Sequence, residues 1–237
     1  MTRTVAIMQP TYLPYLGYFD LIQRADVFVL LDDCQFERKS WQQRNRILGR
    51  DGEAMLSIIL RKQPVETDIK DIEINDDLPW RRDHLREIKK AYAKAAFFEE
   101  GFGWMEAQLA RPEPLLADLT CGMIEDAARK LSFGAELVRA RTLACGGKRS
   151  DHSVEILRKL NADLYLSPLG SRAYIEADGI IAKANIPVKY RSYDPIPYPQ
   201  TCAGFTPYMG FLDAVMNLGW NGLAEHMKLI AQQSHAP

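Results

Sequence analysis

The chain lacks a surplus of basic residues and has no hydrophobic run long enough to cross a bilayer. Its 237 residues carry 30 Lys and Arg against 31 Asp and Glu, for a formal net charge of -1. Proteins that bind nucleic acid without sequence preference need a basic surplus to neutralise phosphates, so such a partner is not expected. The apolar run at the N-terminus is too short for a secretory signal or a membrane span. We therefore expect a soluble, cytoplasmic protein.

Metal-binding and disulfide patterns are also missing from the sequence. The chain has no CxxC motif and no Cys/His pair at the spacing of metal ligands, and its four cysteines are far apart, at Cys34, Cys121, Cys145 and Cys202. Reduced thiols are expected from this spacing. Of the four histidines, His84 is a minor candidate for a base and His152 is placed near the start of a helix. The sequence predicts no particular metal and no oligomeric state.

What the chain does contain is a repeated pattern of short strands and amphipathic helices. Apolar runs bounded by turn residues predict buried strands at 5–8, 27–31 and 55–60. Apolar residues at helical spacing between the first two runs complete a strand-helix-strand unit. The same rhythm returns after residue 151, with strands predicted at 164–166 and 188–190 and helices around them.

The middle of the chain follows a different pattern. Residues 69–74 alternate apolar and polar side chains, as a half-exposed strand would, and helical patterns run from 78 to 92 and from about 113 to 131. We therefore predict an α/β fold, with a Rossmann-like parallel sheet, flanking helices and a helical middle segment. Residues 1–237 would form a single α/β domain with a helical insertion at 78–132.

Polar side chains collect where the predicted strands end. In open α/β sheets, ligands bind beyond the carboxyl ends of the strands, so residues in these positions should all line the mouth of one ligand pocket. The residues concerned are Gln9, Tyr12, Tyr15, Asp32, Asp33, Gln35 and Ser167. Fold stability alone gives no reason to gather them there, which favours a ligand site.

The segment after the second strand brings charges of both signs together. Asp32 and Asp33 are paired carboxylates that can bind Mg²⁺ or act as a general base, while the arginines that follow can clamp a phosphate. Ser40 can cap a helix that presents Gln42 and Arg46 on one face. The alternative is a solvated surface helix whose ion pairs contribute a few tenths of a kcal/mol each.

Two later segments supply further candidates. Ser167-Pro168-Leu169-Gly170-Ser171 lies between a predicted strand and a helix, where hydroxyls and N–H groups can bind an anion or simply cap the helix. Tyr174, nearby, supports the anion site. The proline-rich segment 194–200 predicts an ordered loop. Its aromatic and amide surroundings, with Gln200, can stack on a sugar or pack against the sheet.

The first of the strand-end loops resembles the HxGH signature of the nucleotidyltransferase and class I synthetase superfamily. In Pro14-Tyr15-Leu16-Gly17-Tyr18, the residues Tyr15 and Tyr18 stand in the two His positions. The resemblance implies a nucleotide, with Mg²⁺, as the candidate cofactor near Gly17. Tyrosine is neutral at pH 7, however, and cannot offer an imidazolium to a developing phosphate charge.

Longer segments resemble the WbqC-like protein family over nearly the whole chain. They are QPTYLPYLGYF, ADVFVLLDDCQFERKSWQQRNRI, WRRDHLREIKKAYAKAAFFEE, LSPLGSRAYI and YPQTCAGFTPYMGFLDAVMNLG. Part of that family has a His before the Gln-Pro pair, where this chain has Met8. The resemblance implies a role in O-antigen or other surface-polysaccharide synthesis, with transfer of glycine onto an amino sugar as one suggested reaction.

Three functions are open on these observations. The first is a transferase that acylates or aminoacylates an amino sugar or a nucleotide-linked amino sugar. In it, Asp32 or Asp33 would deprotonate the amine, and Arg44 and Arg46 would hold phosphates. The second is a nucleotidyltransferase-like enzyme, and the third is a non-catalytic ligand-binding protein. A small molecule, nucleotide- or sugar-linked, is the expected partner in each.

The residues expected to form the site fall into two groups. The candidate catalytic residues are Asp32, Asp33, Gln35 and Tyr15. The candidate substrate- or nucleotide-binding residues are Gln9, Tyr12, Gly17, Tyr18, Lys39, Arg44, Asn45, Arg46, Ser167, Gly170, Ser171, Tyr174 and Gln200.

Overall fold

The computed structural model describes residues 2–49 and 52–233. Its strands are β1 (Thr4–Met8), β2 (Val27–Leu30), β3 (Arg44–Gly49), β4 (Gly52–Ser57), β5 (Glu136–Arg139), β6 (Leu164–Pro168) and β7 (Val188–Arg191). Its helices are α1 (Leu16–Arg24), α2 (Trp80–Tyr92), α3 (Phe98–Leu109), α4 (Leu116–Lys130), α5 (Ser150–Lys159), α6 (Arg172–Asp178), α7 (Ile180–Lys183) and α8 (Phe211–Gln232). Short 3₁₀ turns occupy Ile69–Asp71, Ala140–Thr142 and Leu169–Ser171.

Within the described residues, five strands form one parallel sheet in the order β5-β2-β1-β6-β7. The central strand is β1, where Val5 stands beside Val27 of β2 on one side and beside Tyr165 of β6 on the other. The chain runs outwards from β1 through β2 to β5 and then returns to β6, on the opposite side of β1. The strand order therefore reverses between β1 and β6, and ligands bind at such a switch point in open α/β sheets.

Apolar side chains cover both faces of this sheet, which explains why β1 and β2 are almost entirely apolar. Alternate residues of β1 point to opposite faces. Ala6 belongs to the core under α1 and α8, whereas Val5 and Ile7 belong to the core under α5, α6 and α7. The first core also takes in the buried faces of α2, α3 and α4. Each fully buried large apolar side chain stabilises the fold by roughly 1.5–3 kcal/mol.

The predicted α/β fold class is confirmed. The strands predicted at 5–8, 27–31, 164–166 and 188–190 correspond to β1, β2, β6 and β7, and the helical middle segment corresponds to α2, α3 and α4. The sequence pattern did not predict α3 or the sheet-edge strand β5. The single domain with an insertion at 78–132 stays a prediction.

The predicted buried strand at 55–60 is wrong. Most of these residues lie in or just after β4, which forms an antiparallel hairpin with β3 outside the parallel sheet. Within β4 only Leu56 is buried. A hairpin of this kind needs to bury one face at most, so an apolar residue such as Met55 is left exposed.

The half-exposed strand predicted at 69–74 is also wrong. The chain forms a 3₁₀ turn there instead, and the apolar residues of the segment are all buried, namely Ile69, Ile72 and Ile74. Every second or third residue reaches the core from this turn, which imitates the alternation of a strand.

The helix predicted after Ser40 does not form, because the chain turns at 38–43 and then enters β3. The Ser40 hydroxyl stabilises this turn by donating a hydrogen bond of 2.6 Å to the carbonyl of Glu37. Arg44 and Arg46 consequently lie on a strand and not on a helix, two positions apart on one face of the hairpin.

Candidate functional site

A cavity of about 1090 Å³ opens at the carboxyl edge of the sheet, on the side of α5, α6 and α7. The end of β1, the loop after β2, the start of α5 and the α6–α7 region each supply part of its wall. The wall includes Gln9, Asp33, Cys34, Gln35, Glu66, Asp68, Lys148, Arg149, Ser150, His152, Tyr174 and Asp178. The cavity is large enough for a small molecule, and it lies beside the switch point of the sheet.

On the wall of the cavity, the side chains of Asp33 and His152 are in direct contact. Nε2 of His152 lies 3.0 Å from Oδ1 of Asp33, and Nδ1 lies 2.6 Å from the carbonyl oxygen of Gly146. Both ring nitrogens therefore face acceptors, an arrangement that only the doubly protonated imidazolium satisfies. Burial lowers the pKa of His152, but the hydrogen bonds to Gly146 and Asp33 outweigh burial and raise that pKa above its ordinary value.

The neighbouring carboxylate, Asp32, has a different environment. Its side chain is fully buried, and Oδ1 accepts a hydrogen bond of 3.0 Å from the backbone N–H of Arg141. The guanidinium Nε of Arg141 lies 2.7 Å from Oδ2, close enough for an ion pair but not aligned for a hydrogen bond. Burial raises the pKa of Asp32, while the backbone N–H and the charge of Arg141 oppose that rise.

Asp32 belongs to a network of charges outside the cavity. Arg141 also binds Asp118, and Arg139 binds both Asp118 and Glu125. This network ties the end of β2 to the 3₁₀ turn after β5 and to α4. Asp32 is therefore engaged by the protein itself, and the two adjacent aspartates do not present a joint carboxylate pair to a ligand.

Gln9 and Cys34 form the wall between the ends of β1 and β2. The amide of Gln9 is held at both ends, because Nε2 donates to Sγ of Cys34 (3.3 Å) and Oε1 accepts from Nε2 of Gln42 (2.8 Å). Burial raises the pKa of Cys34 to about 11, so its thiol is protonated at neutral pH and is not a nucleophile. Gln35, next along the loop, is fixed by a hydrogen bond from its Nε2 to the carbonyl of Val65.

The residues of the first loop do not share this cavity. Tyr12 is fully buried, and its hydroxyl lies 2.9 Å from Nδ1 of His84. Burial lowers the pKa of His84 to about 4, which leaves that ring neutral. Tyr18 is also buried and donates to the carbonyl of Gln9. Of the strand-end residues expected to lie together, the structure brings Gln9, Asp33 and Gln35 to this cavity. The others do not line it, namely Tyr12, Tyr15, Asp32 and Ser167.

Tyr15 lies in a second, smaller cavity of about 120 Å³ on the α1 side of the sheet. Its ring packs edge-on against Tyr193 and Tyr208, with centroid distances of 5.5 and 6.1 Å. These rings cover Gly17: a Cβ atom placed there would lie 2.8 Å from a ring carbon of Tyr193 and nearer still to the ring of Tyr15. The approach of a ligand to the Gly17 backbone, which the HxGH resemblance implies, is therefore filled by the chain's own aromatic rings.

The basic and amide residues predicted for the second loop lie in or near the hairpin. Nδ2 of Asn45 donates to the carbonyls of Tyr12 and Leu13, which fixes the first loop. Arg46 pairs with Glu53 at 2.9 Å. Arg44 lies on β3, Lys39 lies in the preceding turn, and neither lines the large cavity.

The later candidates are divided between the two cavities and the core. Ser167 and Ser171 are buried, and their hydroxyl oxygens lie 2.6 Å apart. Gly170 lines the smaller cavity, whereas Tyr174 lines the larger one. Gln200 donates to Oδ2 of Asp213 (2.8 Å) and lines neither. The hydroxyl of Tyr198 donates to the same oxygen, so the proline-rich segment is indeed an ordered loop.

Sequence reasoning missed several residues of the large cavity, among them Glu66, Asp68 and Asp178. It also missed Lys148, Arg149 and, as a member of the site, His152, which are close together in the chain. They belong to the segment Gly146-Gly147-Lys148-Arg149-Ser150 and to the first turn of α5 that follows it. Two glycines followed by two cations directly before a helix were the available signal.

A metal-binding cluster and a membrane-spanning helix are both absent from the described part of the chain. In residues 2–49 and 52–233, no three His, Cys, Asp or Glu side chains gather as a metal site. No helix in the same residues is long and apolar enough to cross a membrane.

The residues of this cavity lie within the part of the chain that matches a known protein family. The WbqC-like protein family matches residues 9–225, a span that contains all the cavity residues named above. A protein of Mycobacterium tuberculosis, described as the uncharacterized protein Rv1507c, is 27% identical over 220 residues, which cover 92% of this chain and 94% of the relative. No solved structure matches the chain significantly.

Proposed function

Because the chain belongs to the WbqC-like protein family, we propose that it is a transferase of surface-polysaccharide synthesis that acylates or aminoacylates an amino sugar. The observation that supports this most directly is the Asp33–His152 pair on the wall of the large cavity. The pair supplies a positioned proton acceptor, which an amine needs before it can attack an acyl group.

Asp33 is the residue we assign to the amine. His152 occupies Oδ1, whereas Oδ2 makes no hydrogen bond to another residue of the described chain. An amino sugar is largely an ammonium at neutral pH, and an ammonium has no lone pair. Asp33 attracts this cation and takes one proton from it, which gives the neutral amine its lone pair. The amine nitrogen then bonds to the acyl carbon while the bond from that carbon to its leaving group breaks, and the second N–H proton departs with the leaving group. A positioned base typically contributes 10²–10⁴-fold to such a rate.

His152 positions the base in this proposal. Its imidazolium is held by Gly146 and Asp33 together, so the carboxylate cannot rotate freely. Since both ring nitrogens are engaged, His152 is not itself available to take the amine proton. It acts on the amine only through Asp33.

The remaining wall suits a sugar. The exposed ring of Tyr174 offers a surface on which a sugar ring can stack. The amide of Gln9 and the carboxylates of Glu66 and Asp68 offer acceptors for sugar hydroxyls. The volume of about 1090 Å³ leaves room for an acyl donor beside the sugar.

The nucleotidyltransferase-like alternative is weaker, because the Gly17 backbone is covered by Tyr15 and Tyr193 and the loop has no histidine. In this chain the paired-carboxylate site for Mg²⁺ is also disfavoured, since Asp32 is committed to Arg141. A non-catalytic binding protein is the second alternative, and it differs from the proposed transferase because it would bind the ligand without turnover.

The test is formation of an amide. Purified protein would be incubated with amino sugars and activated acyl or aminoacyl donors, glycine among them, and the products analysed by mass spectrometry. We expect product from the wild type and a loss of about 100-fold or more in Asp33→Asn. Asp71→Asn is the matched control, because Asp71 is exposed and does not line the cavity. Saturable sugar binding with no amide from any donor would support the non-catalytic alternative instead.

A further inference from the structure

The cavity also carries a feature that the proposed acyl transfer does not use. Resting on that proposed function, we infer that the amino sugar carries a phosphate or diphosphate group, and that Lys148 and Arg149 bind this group at the rim of the cavity. This extends the proposal from an amine acceptor to a phosphorylated amine acceptor.

The charges of Lys148 and Arg149 have no counterion among the described residues. Both side chains are exposed on the cavity wall, and neither forms an ion pair or a side-chain hydrogen bond with any residue of the described chain. The arginines nearest the other strand ends differ in this respect: Arg141 binds Asp32, and Arg191 binds Asp20 at 2.6 Å. Two adjacent unpaired cations on a cavity wall offer a dianion more attraction than a single surface charge does.

The backbone holds these cations in place although their side chains are exposed. Gly146 donates its N–H to Glu155 (2.6 Å) and its carbonyl accepts from His152, so the loop is tied to α5 twice. At Gly147, with φ of 79°, a Cβ atom would lie 2.9 Å from the backbone nitrogen of His152, so the loop closes tightly on the helix. The loop is therefore organised before a ligand arrives.

Arg149 itself has an unusual backbone conformation, with φ of 54° and ψ of -127°. For a residue with a Cβ atom, such a conformation costs about 1–3 kcal/mol and persists only where the surroundings impose it. It carries the chain directly into α5, whose first turn no side chain of the described residues caps. The partial positive charge of that helix end adds to the two side-chain charges.

The rest of the wall has the opposite sign and so orients the ligand. Asp33, Glu66, Asp68 and Asp178 all face the cavity. A phosphate is repelled by these carboxylates and attracted by the Lys148–Arg149 end, while an ammonium has the opposite preference. A sugar with both groups can therefore enter productively in one orientation, with its amine towards Asp33.

The cations Lys148 and Arg149 are linked to the base, Asp33, by a short stretch of chain and the side chain of His152. His152 contacts Asp33 and Gly146, and Lys148 follows Gly146 by two residues. Consecutive Cα atoms are about 3.8 Å apart, so the Cα of Lys148 is within about 7.6 Å of that of Gly146. The distance from the phosphate-binding residues to the base is thus short and fixed, as expected when binding of one group positions another for reaction.

The first experiment measures binding of inorganic pyrophosphate by calorimetry. We expect wild-type protein to bind it, with an affinity that falls as salt is raised from about 20 to about 300 mM. The variant K148A/R149A should bind at least tenfold more weakly. Its control is K94A/R158A, which removes the same two residue types from exposed positions outside the cavity wall. Equal weakening in both double variants, or none in K148A/R149A, would overturn the inference.

A second measurement separates this inference from the proposed function. Asp33→Asn should bind pyrophosphate at least as tightly as the wild type, because Asp33 is assigned to the amine and its charge repels the anion. If pyrophosphate binding depends on Lys148 and Arg149 but no amide forms with any donor, the phosphate site stands and acyl transfer fails. If amide forms equally well on free and phosphorylated amino sugars, and K148A/R149A leaves both rates unchanged, acyl transfer stands and the phosphate site fails. Comparing a sugar 1-phosphate with a nucleoside diphosphate sugar then identifies the source of the phosphate.

Discussion

Oδ1 of Asp33 accepts a hydrogen bond from Nε2 of His152 at 3.0 Å, and this contact joins the loop after β2 to the first turn of α5. Oδ2 of Asp33 makes no hydrogen bond to another residue of the described chain, so it is the carboxylate oxygen that can meet a ligand.

The stability of the protein should depend on pH through His152. A histidine whose pKa is raised on folding stabilises the fold fully below its unfolded pKa of about 6.5, and this contribution is lost as pH rises through the folded pKa. We expect His152→Gln to lose more unfolding free energy, relative to wild type, near pH 6 than near pH 9. Urea unfolding of both proteins at the two pH values measures this.

The informative quantity is the difference in unfolding free energy between wild type and His152→Gln at each pH, and not the pH profile of either protein alone. His84 and His226 have lowered pKa values, mainly through burial, and they change stability in the opposite direction over the acidic range. Their contributions cancel in the subtraction. A wild-type-minus-variant difference that is flat across pH would show that His152 is not held as an imidazolium.

Asp32 and Asp33 should respond differently to the same substitution. Asp32→Asn removes the buried carboxylate between the backbone N–H and the guanidinium of Arg141, which keeps only Asp118 as a carboxylate partner among the described residues, and we expect a loss of about 2 kcal/mol in unfolding free energy. Asp33→Asn should reduce turnover instead and cost about half as much stability. Denaturant unfolding together with an amide-forming assay on both variants measures the contrast, and the reverse pattern would assign the base to Asp32.

Gly17 should be intolerant of a side chain because of the aromatic rings over it. Gly17→Ala places a Cβ atom against Tyr15 and Tyr193, and we expect it to lower the free energy of unfolding by about 1–3 kcal/mol. Gly170→Ala is the control, since nothing lies within 4 Å of a Cβ atom at that position. Thermal unfolding of both variants tests this. If both are equally stable, the rings do not cover the loop.

Cys34 should be unreactive despite its place on the cavity wall. With its pKa raised to about 11, the thiolate is a small fraction at pH 7.5, so alkylation by iodoacetamide should be slow and should accelerate as pH approaches 11. Cys34→Ala should retain turnover within a few fold. Rapid labelling at neutral pH, or complete loss of turnover in the variant, would contradict this prediction and make Cys34 a candidate nucleophile.

The sheet could be predicted from the sequence because its strands are buried on both faces. Uninterrupted apolar residues, as in Val27–Leu30, are required only where both sides of a strand are covered. The same argument fails for β4, whose apolar residues are partly exposed in a hairpin. Composition does not distinguish these cases, because the covering elements come from distant parts of the chain.

The site could be predicted only in outline. The rule that ligands bind at strand ends identified Gln9, Asp33 and Gln35, but it could not separate Asp33 from Asp32, which are chemically identical and adjacent. The chain turns at the end of β2, where the N–H of Asp32 donates to the carbonyl of Leu30, and one aspartate faces the cavity while the other faces Arg141. His152 required knowledge of how α5 packs, which no local pattern contains.

The position of α5 has a consequence for how the protein acquires activity as it folds. This helix connects β5, which pairs with β2, to β6, which pairs with β1. Both pairings join distant parts of the chain, and contacts of this kind form late because a long loop must close first. We expect the inner strands β1 and β2 to gain protection from hydrogen exchange before Asp33 and His152 meet. A nascent chain that has not yet extended beyond β6 would then be folded in part but inactive.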